Sequence, residues 1–437
     1  MKKVLIITYY WPPSGGASVQ RWLKLTKYLL RNNIEPIVLT VDEKSASYPV
    51  QDKTFYDEVD DRIKVYRTKS FEILKVFSFF MGEKKVPYGG FSNVNTKTLF
   101  SKITRFLRGN LFIPDARVGW NSYAIKKAIE IIKEHNIDTV ISTSPPHSSQ
   151  LIGMKLKEKL NVNWILDIND PWTDIYYYKD LYHLDFVKKI DKKYESAVIN
   201  KADRIIANCI SNKQLYKSKL DDASSDKFIV VSNGYDGEDF PEDKPVNKTE
   251  FVFTYTGTIT EKYEPDILFD SINKIRDFHK DVSFKLVFVG TVSPSIKLDI
   301  EKYKIDDITE YVGHVSHKKA IDFAINSTVL INVFPKTTLD KGVPGKLGEY
   351  LAAQKPIISI GPSDGDSAGI VMHTNAGRSF EREMGSDLFA FLKELVDKWK
   401  TDPHNILEAN ENVYMYSWKY GAGQIAKLIN EISSSKV

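Results

Sequence analysis

The chain has 437 residues, more than one hydrophobic core usually organises, so two domains are the default. Its composition is 42% hydrophobic and 27% charged, enough for large cores, and its formal charge of +4 is spread thinly. Without zinc-ligand spacing or a base-stacking motif, that charge argues against nucleic acid, and one cysteine, Cys209, excludes an internal disulfide and suits a reducing compartment.

The first residues, MKKVLIITYYWPP, pair two lysines with a brief apolar run and offer no small-residue cleavage site. They read as a buried strand at 4–9 rather than a leader. A Pro-Pro-Ser-Gly-Gly loop follows, then a helix at 17–31. Next come strands at 36–41 and 63–68, a helix at 121–134, a strand at 139–143 and a helix at 150–159. A strand at 164–168, a helix at 184–201 and strands at 204–208 and 228–232 complete the first array. Residues 236–248, rich in Asp, Glu, Pro and Lys, read as a linker. The alternation restarts with a strand at 251–256, a helix at 266–278, strands at 284–289 and 308–312, a helix at 317–325 and a strand at 328–333. A helix at 346–353, a strand at 356–360 and helices at 368–373 and 387–400 finish it. A last amphipathic helix spans 418–432. No run approaches the ~18 apolar residues of a spanning helix.

Val and Ile runs bounded by Gly, Pro and Asn are the mark of parallel strands buried on both faces. Two such arrays predict an α/β protein of two Rossmann-like, doubly wound sheets facing each other across a cleft. The expected domains are 1–240 and 250–415. The tail, 416–437, suits packing on either domain, with a return to the N-terminal one as the candidate.

Ligands of such sheets sit beyond the carboxyl ends of the strands, and five segments there carry polar groups. In the first loop, WPPSGGASVQR, Gly15 and Gly16 let backbone N–H groups approach an anion at a helix start; a plain tight turn is the alternative. In LDINDPW, Asp167 and Asp170 suit sugar hydroxyls, although an Asp before Pro also simply turns the chain. In STSPPHSSQ, His147 opens a helix and can line the same site. In YTGTITEK, Gly257 offers a donor diphosphate a backbone contact, and Lys262 adds charge unless it is merely solvated. The most informative segment is KGVPGKLGEYLAAQKPIISIG (341–361). It puts Lys346 and Glu349 on one face of a helix start, where a lysine neutralises a leaving diphosphate and a glutamate accepts ribose hydroxyls. An ordinary ion pair on an exposed helix is the competing reading.

At this helix the sequence resembles the retaining glycosyltransferases of family 4, which share the GT-B fold. The likeness runs through PPSGGASVQR, the strand-end PPH, DINDPW, SNGYD, YTGT, FVGT, YVGHVSH and PGKLGEYLAAQKPI, in the family's order. DINDPW is similar to a variant common in bacterial surface-polysaccharide enzymes. The resemblance implies that Glu349 holds the nucleotide ribose. It implies donor-side places for Gly16, Gly257, Thr258, Gly290, His314 and Val315, and an acceptor or sugar side with Gly15, Arg21, His147 and Asp167. Two departures stand out. Lys341 occupies the position of the family's first glutamate, and Thr258 that of its diphosphate-binding arginine, so Lys346 and Lys262 are expected to supply the positive charge.

The function expected is therefore transfer of a hexosyl or N-acetylhexosaminyl group from a nucleoside-diphosphate sugar, such as a UDP-sugar, with retention of configuration. Asp170, Lys346 and Glu349 are the candidate catalytic residues. No metal or other cofactor is expected, since the sole Asp-x-Asp, Asp364-Gly-Asp366, reads as a turn. By resemblance, the acceptor is a glycan or polyprenyl-diphosphate-linked glycan of surface-polysaccharide biosynthesis, at the cytoplasmic face of the membrane. Residues 97–112 give a second membrane signal: Leu99, Phe100, Ile103, Phe106 and Leu107 share one helical face, with Lys97, Lys102, Arg105 and Arg108 elsewhere. A helix packed on its own domain is the alternative there. For the whole chain, the competing classes are a nucleotide-sugar epimerase of the same fold and a non-catalytic bilobal sugar-binding protein.

Overall fold

The computed structural model describes residues 1–72, 99–175, 177–222, 224, 226–336, 341–407 and 410–434. The chain divides into two compact units, Met1–Ser232 with Trp418–Val437, and Asn233–Ser417.

The first unit runs β1 (Lys2–Ile7), α1 (Ala17–Arg31), β2 (Ile34–Val41), β3 (Lys64–Thr68), α2 (Leu99–Leu111), α3 (Asn121–His135) and β4 (Thr139–Ser144). It continues with α4 (Ser148–Leu160), β5 (Asn163–Ile168), α5 (Asp185–Lys201), β6 (Arg204–Ala207), α6 (Ile210–Lys217) and β7 (Phe228–Val230). The strands are all parallel, in the order β3-β2-β1-β4-β5-β6-β7. Every residue of β4 and of β5 is buried, which is why these stretches lack the polar alternation of a half-exposed strand.

The second unit runs β8 (Phe251–Thr256), α7 (Asp266–Phe278), β9 (Phe284–Val289), α8 (Pro294–Lys302), β10 (Thr309–Gly313) and α9 (His317–Ile325). Then come β11 (Val329–Val333), α10 (Gly345–Ala353), β12 (Ile357–Ile360), α11 (Asp366–His373), β13 (Gly377–Phe380) and α12 (Gly385–Thr401). Its parallel sheet has the order β10-β9-β8-β11-β12-β13. Each unit is therefore a doubly wound sheet. Its connectivity reverses direction between β1 and β4 in the first and between β8 and β11 in the second.

The last helix, α13 (Trp418–Ser434), belongs to the first unit. Trp418, Ala422, Ile425, Ala426 and Ile429 join Val19, Trp22, Leu25 and Leu29 of α1 in one buried cluster. Gly421 lets it approach closely: a Cβ there would stand 2.8 Å from Val231 Cγ1. The Lys2 ammonium donates to the Ile429 carbonyl at the far end of the same helix.

Sequence pattern and structure differ in places. The first strand occupies 2–7 rather than 4–9, because the ladder with β2 begins at Lys2 and Lys3 although both are polar. The strand Gly377–Phe380 has no apolar run to announce it, being a short edge strand. Helices α6 and α8 are short and were equally silent in the pattern. The basic face expected of residues 97–112 is also corrected. Within α2 the Arg105 side chain is buried and lies over the Tyr182 ring, 5.2 Å from its centroid. Burial also pushes Arg108 down to about 10. Both arginines face protein rather than lipid, whereas Phe106 and Leu111 are exposed. Lys97 and the side chains of Leu99, Phe100 and Ile103 lie outside the described residues.

Candidate active site

In the second unit, the turns after β8 and β9 meet beside the switch point. Gly257 and Gly290 take φ values of 106° and 133°. A Cβ on Gly290 would stand 2.2 Å from the Gly257 carbonyl oxygen, so only glycine lets the two turns pass. The strand end is held from α10. The Thr256 N–H donates to the Tyr350 hydroxyl at 2.9 Å, and the Lys346 ammonium donates to the Thr256 carbonyl at 2.9 Å. Lys346 and Tyr350 are one helical turn apart, so a single face of α10 grips both polar groups of one residue.

The Lys346 ammonium also lies 3.5 Å from the centroid of the Tyr255 ring. Burial pushes its pKa down to about 7, with Glu349 pulling the other way. One turn along, Glu349 Oε1 is 2.7 Å from Nε2 of His317, the first residue of α9. Sequence reasoning missed His317: it ends YVGHVSH, but nothing in the spacing says that it turns toward Glu349. Behind α10, Gly348 admits the SNGYD turn, since a Cβ there would lie 2.8 Å from the Gly234 carbonyl carbon.

Several donor-side expectations change at this point. The Gly257 N–H is already committed to the Val289 carbonyl, so it is not the group offered to a diphosphate. The exposed Thr258 carries a backbone N–H with no hydrogen bond among the described residues. Lys262 is exposed in a 3-10 turn, and its carbonyl accepts from Lys336 N–H. Lys341 forms an ion pair with Asp364, while its carbonyl accepts from Asp366 N–H. The replaced glutamate position is thus linked to the Asp-Gly-Asp turn. His314 is exposed beyond β10, and Val315 packs against Val252, Val287 and Val289.

In the first unit the switch point holds a buried ion pair. Arg21 donates to Asp167 through Nη2 at 2.8 Å and Nε at 3.3 Å, and through Nη1 to the Val231 carbonyl. Asp167 also accepts from Trp22 Nε1, the Thr143 hydroxyl and Asn169 Nδ2. Arg21 is 1% exposed and Asp167 is fully buried. Their expected place on the acceptor side is therefore corrected: both are enclosed, and they fix the ends of α1, β4 and β5 to one another. The Gly15 N–H likewise bonds the Val50 carbonyl, which removes it as an anion donor. Gly16, at φ 92°, keeps a backbone N–H with no hydrogen bond among the described residues and nothing within 4 Å of its Cβ position.

Asp170 and His147 are placed differently from this pair. No hydrogen bond or ion pair reaches the Asp170 carboxylate among the described residues, and burial raises it to about 6. The loop carrying it is well anchored: Tyr216 Oη donates to the Asp170 carbonyl, and Trp172 Nε1 donates to Asp191 Oδ1, each at 2.8 Å. The His147 ring stacks on Trp172, with 4.8 Å between centroids and 12° between planes. Burial lowers His147 to about 4 against the pull of Asp115, so its imidazole is neutral at pH 7. Asp191 and Glu195, one turn apart on α5, escaped the sequence reading because an acidic pair on a helix looks like a solvated face. Both are buried beneath the loop, and Glu195 takes the Thr173 hydroxyl and the Lys219 ammonium.

Residues 94–239 match the model of Glycosyltransferase Family 4, and residues 236–412 that of Glycosyl transferases group 1. No curated protein sequence matches the chain. Among solved structures, sucrose-phosphate synthase from Thermosynechococcus elongatus is similar at 12% identity and TM-score 0.64, covering 100% of both chains. A glycosyltransferase from Rickettsia africae is similar at 15% identity and TM-score 0.60, covering 99% of this chain and 98% of its own. HepE of Anabaena, solved in complex with UDP, is similar at 13% identity and TM-score 0.58, covering 100% of both. The two models succeed one another along the chain, the first over β4–β7 of the first sheet and the second over the whole second sheet, and the chain belongs to the family 4, group 1 type of glycosyltransferases with the GT-B fold.

Proposed function

We propose that this transferase moves a hexosyl or N-acetylhexosaminyl group from a UDP-sugar or similar nucleoside-diphosphate sugar, with retention of configuration and without a metal. The acceptor in this reading is a glycan or polyprenyl-diphosphate-linked glycan for surface polysaccharide, met in the cytoplasm at the inner face of the membrane. One observation carries the donor half. A recessed lysine and a glutamate oriented by histidine share one face of α10 at the switch point of the second sheet. Glu349 accepts the ribose hydroxyls while His317 fixes its rotamer. Lys346, half-buried against Tyr255, meets the charge that builds on the departing diphosphate, where a preorganised cation is most effective. The Thr258 N–H adds a dipole to the same group. That HepE has been solved with UDP supports a uridine donor.

The Gly16 N–H at the start of α1 suits an anionic group, in keeping with the donor-side place the resemblance implies for it. Asp170 orients a sugar hydroxyl, and the neutral His147 lines the same wall. The transition state is oxocarbenium-like, and the acceptor proton passes to the leaving phosphate oxygen, so no separate base is required. The test is nucleotide release from a panel of nucleotide sugars, with and without a lipid-linked acceptor. Lys346→Ala and Glu349→Ala should each lower acceptor-dependent turnover by about 100-fold. Full turnover in both variants would overturn the assignment.

A further inference from the structure

At the opposite end of the second sheet, where the strands begin, lies a cavity of about 420 Å³. It is bounded by Asn247 ahead of β8, Thr328 ahead of β11, and Lys355 with Pro356 ahead of β12. Helix α10 separates it from the donor end: Lys346 lies in its first turn, and Lys355 follows its C-cap, Gln354. Nine residues of helix span roughly 14 Å, so the two places are distinct.

Two lysines line this cavity, and neither has a carboxylate partner among the described residues. Lys355 is 8% exposed, and its ammonium donates to the Pro245 carbonyl. The half-buried Lys244 donates to the Pro241 carbonyl and lies 5.4 Å from the Phe240 ring centroid. Burial lowers Lys355 to about 8, and the Lys244 charge pushes in the same direction, so the two ammonium groups feel each other. The carboxyl end of α10, which Lys355 follows, offsets part of the charge at Lys355. Glu242 and Asp243 also border the cavity, yet both side chains are exposed. Desolvated cations without a counter-charge are costly unless something negative answers them.

We infer that this cavity is a second ligand site, which takes the phosphate group of a small molecule between Lys244 and Lys355. The Lys355 ammonium spends one of its three donors on Pro245, leaving others for phosphate oxygens. The space exceeds a bare phosphate and fits a phosphorylated metabolite of sugar size. The inference stands whether or not the transfer reaction proposed above is correct.

The test is calorimetric titration of the full-length protein with inorganic phosphate and, separately, with glucose 6-phosphate. Saturable binding of one equivalent is expected, weakened about tenfold or more in Lys355→Met and in Lys244→Met, and kept in Lys346→Met. Tighter binding of glucose 6-phosphate would identify a phosphorylated metabolite, and equal binding a free oxyanion; both support the site. Absence of saturable binding, equal affinity in the wild type and both cavity variants, or loss confined to Lys346→Met would overturn it. Lys244→Met alters a half-buried position and keeps the test usable should Lys355→Met fail to fold.

Discussion

Arg21 and Asp167 illustrate how one residue type serves two ends. An Asp at a strand end in a sugar-handling enzyme suggests substrate, yet here it is enclosed with a bidentate arginine and three further donors. Breaking such a pair from one side leaves an uncompensated charge indoors. Asp167→Asn or Arg21→Met should therefore destabilise the first unit by about 3–5 kcal/mol, measured by urea unfolding. An effect near zero would contradict the enclosed geometry. Lys346 is the reverse case, a cation whose hold on its proton is weakened by burial until its partner arrives. Its pKa is about 7 when folded against 10.5 ordinarily, so between those values the unfolded chain binds more protons. Its contribution to stability thus rises with pH through that window and is lowest below pH 7. A diphosphate reverses the preference and restores the proton. Titrating UDP at pH 8 in buffers of different ionisation enthalpy should reveal net proton uptake that vanishes in Lys346→Met, and affinity should fall as pH climbs from 7 to 9.

At the scale of elements, the turns after β8 and β9 and the helix α10 form one mechanical piece. The turn after β9 crosses the turn after β8 at a distance that admits no side chain, and α10 pins the end of β8 through both polar groups of Thr256. Gly290→Ala sets a Cβ against the Gly257 carbonyl and asks an L-residue to hold φ 133°. We expect a loss of about 1–3 kcal/mol in the second unit and a weaker affinity for UDP, read together by thermal unfolding and calorimetry. Normal stability with normal UDP affinity would show that the turns separate easily. The loop after β5 follows the same logic: the acidic pair on α5 holds the Trp172–Thr173 segment from below, and the Asp170 carboxylate has no partner among the described residues.

For the whole molecule, the chain closes on its own beginning. α13 returns after the second unit to complete the apolar cluster over α1, and it contributes Trp418, Ile425 and Ile429 to that core. A chain ending at Ser417 should lose thermal stability in the first unit while the second melts unchanged. Limited proteolysis with mass spectrometry would locate the cuts, and cuts confined to the second unit would refute this. The family assignment also acts at this scale, since one model matches the later strands of the first sheet and the other the whole second sheet.

The sequence alone determined the α/β class, the two strand–helix arrays, and the helix carrying Lys346 and Glu349. Buried parallel strands and amphipathic helices are written in local apolar patterning, and a motif fixes which residues share one turn. Only the tertiary structure decided that Arg21 and Asp167 hold each other, that His317 meets Glu349, that Lys341 meets Asp364, and that the Gly15 and Gly257 N–H groups are already occupied. Those are contacts between residues distant in the chain or across a ladder. No local pattern encodes which donor reaches which acceptor once the strands are laid side by side.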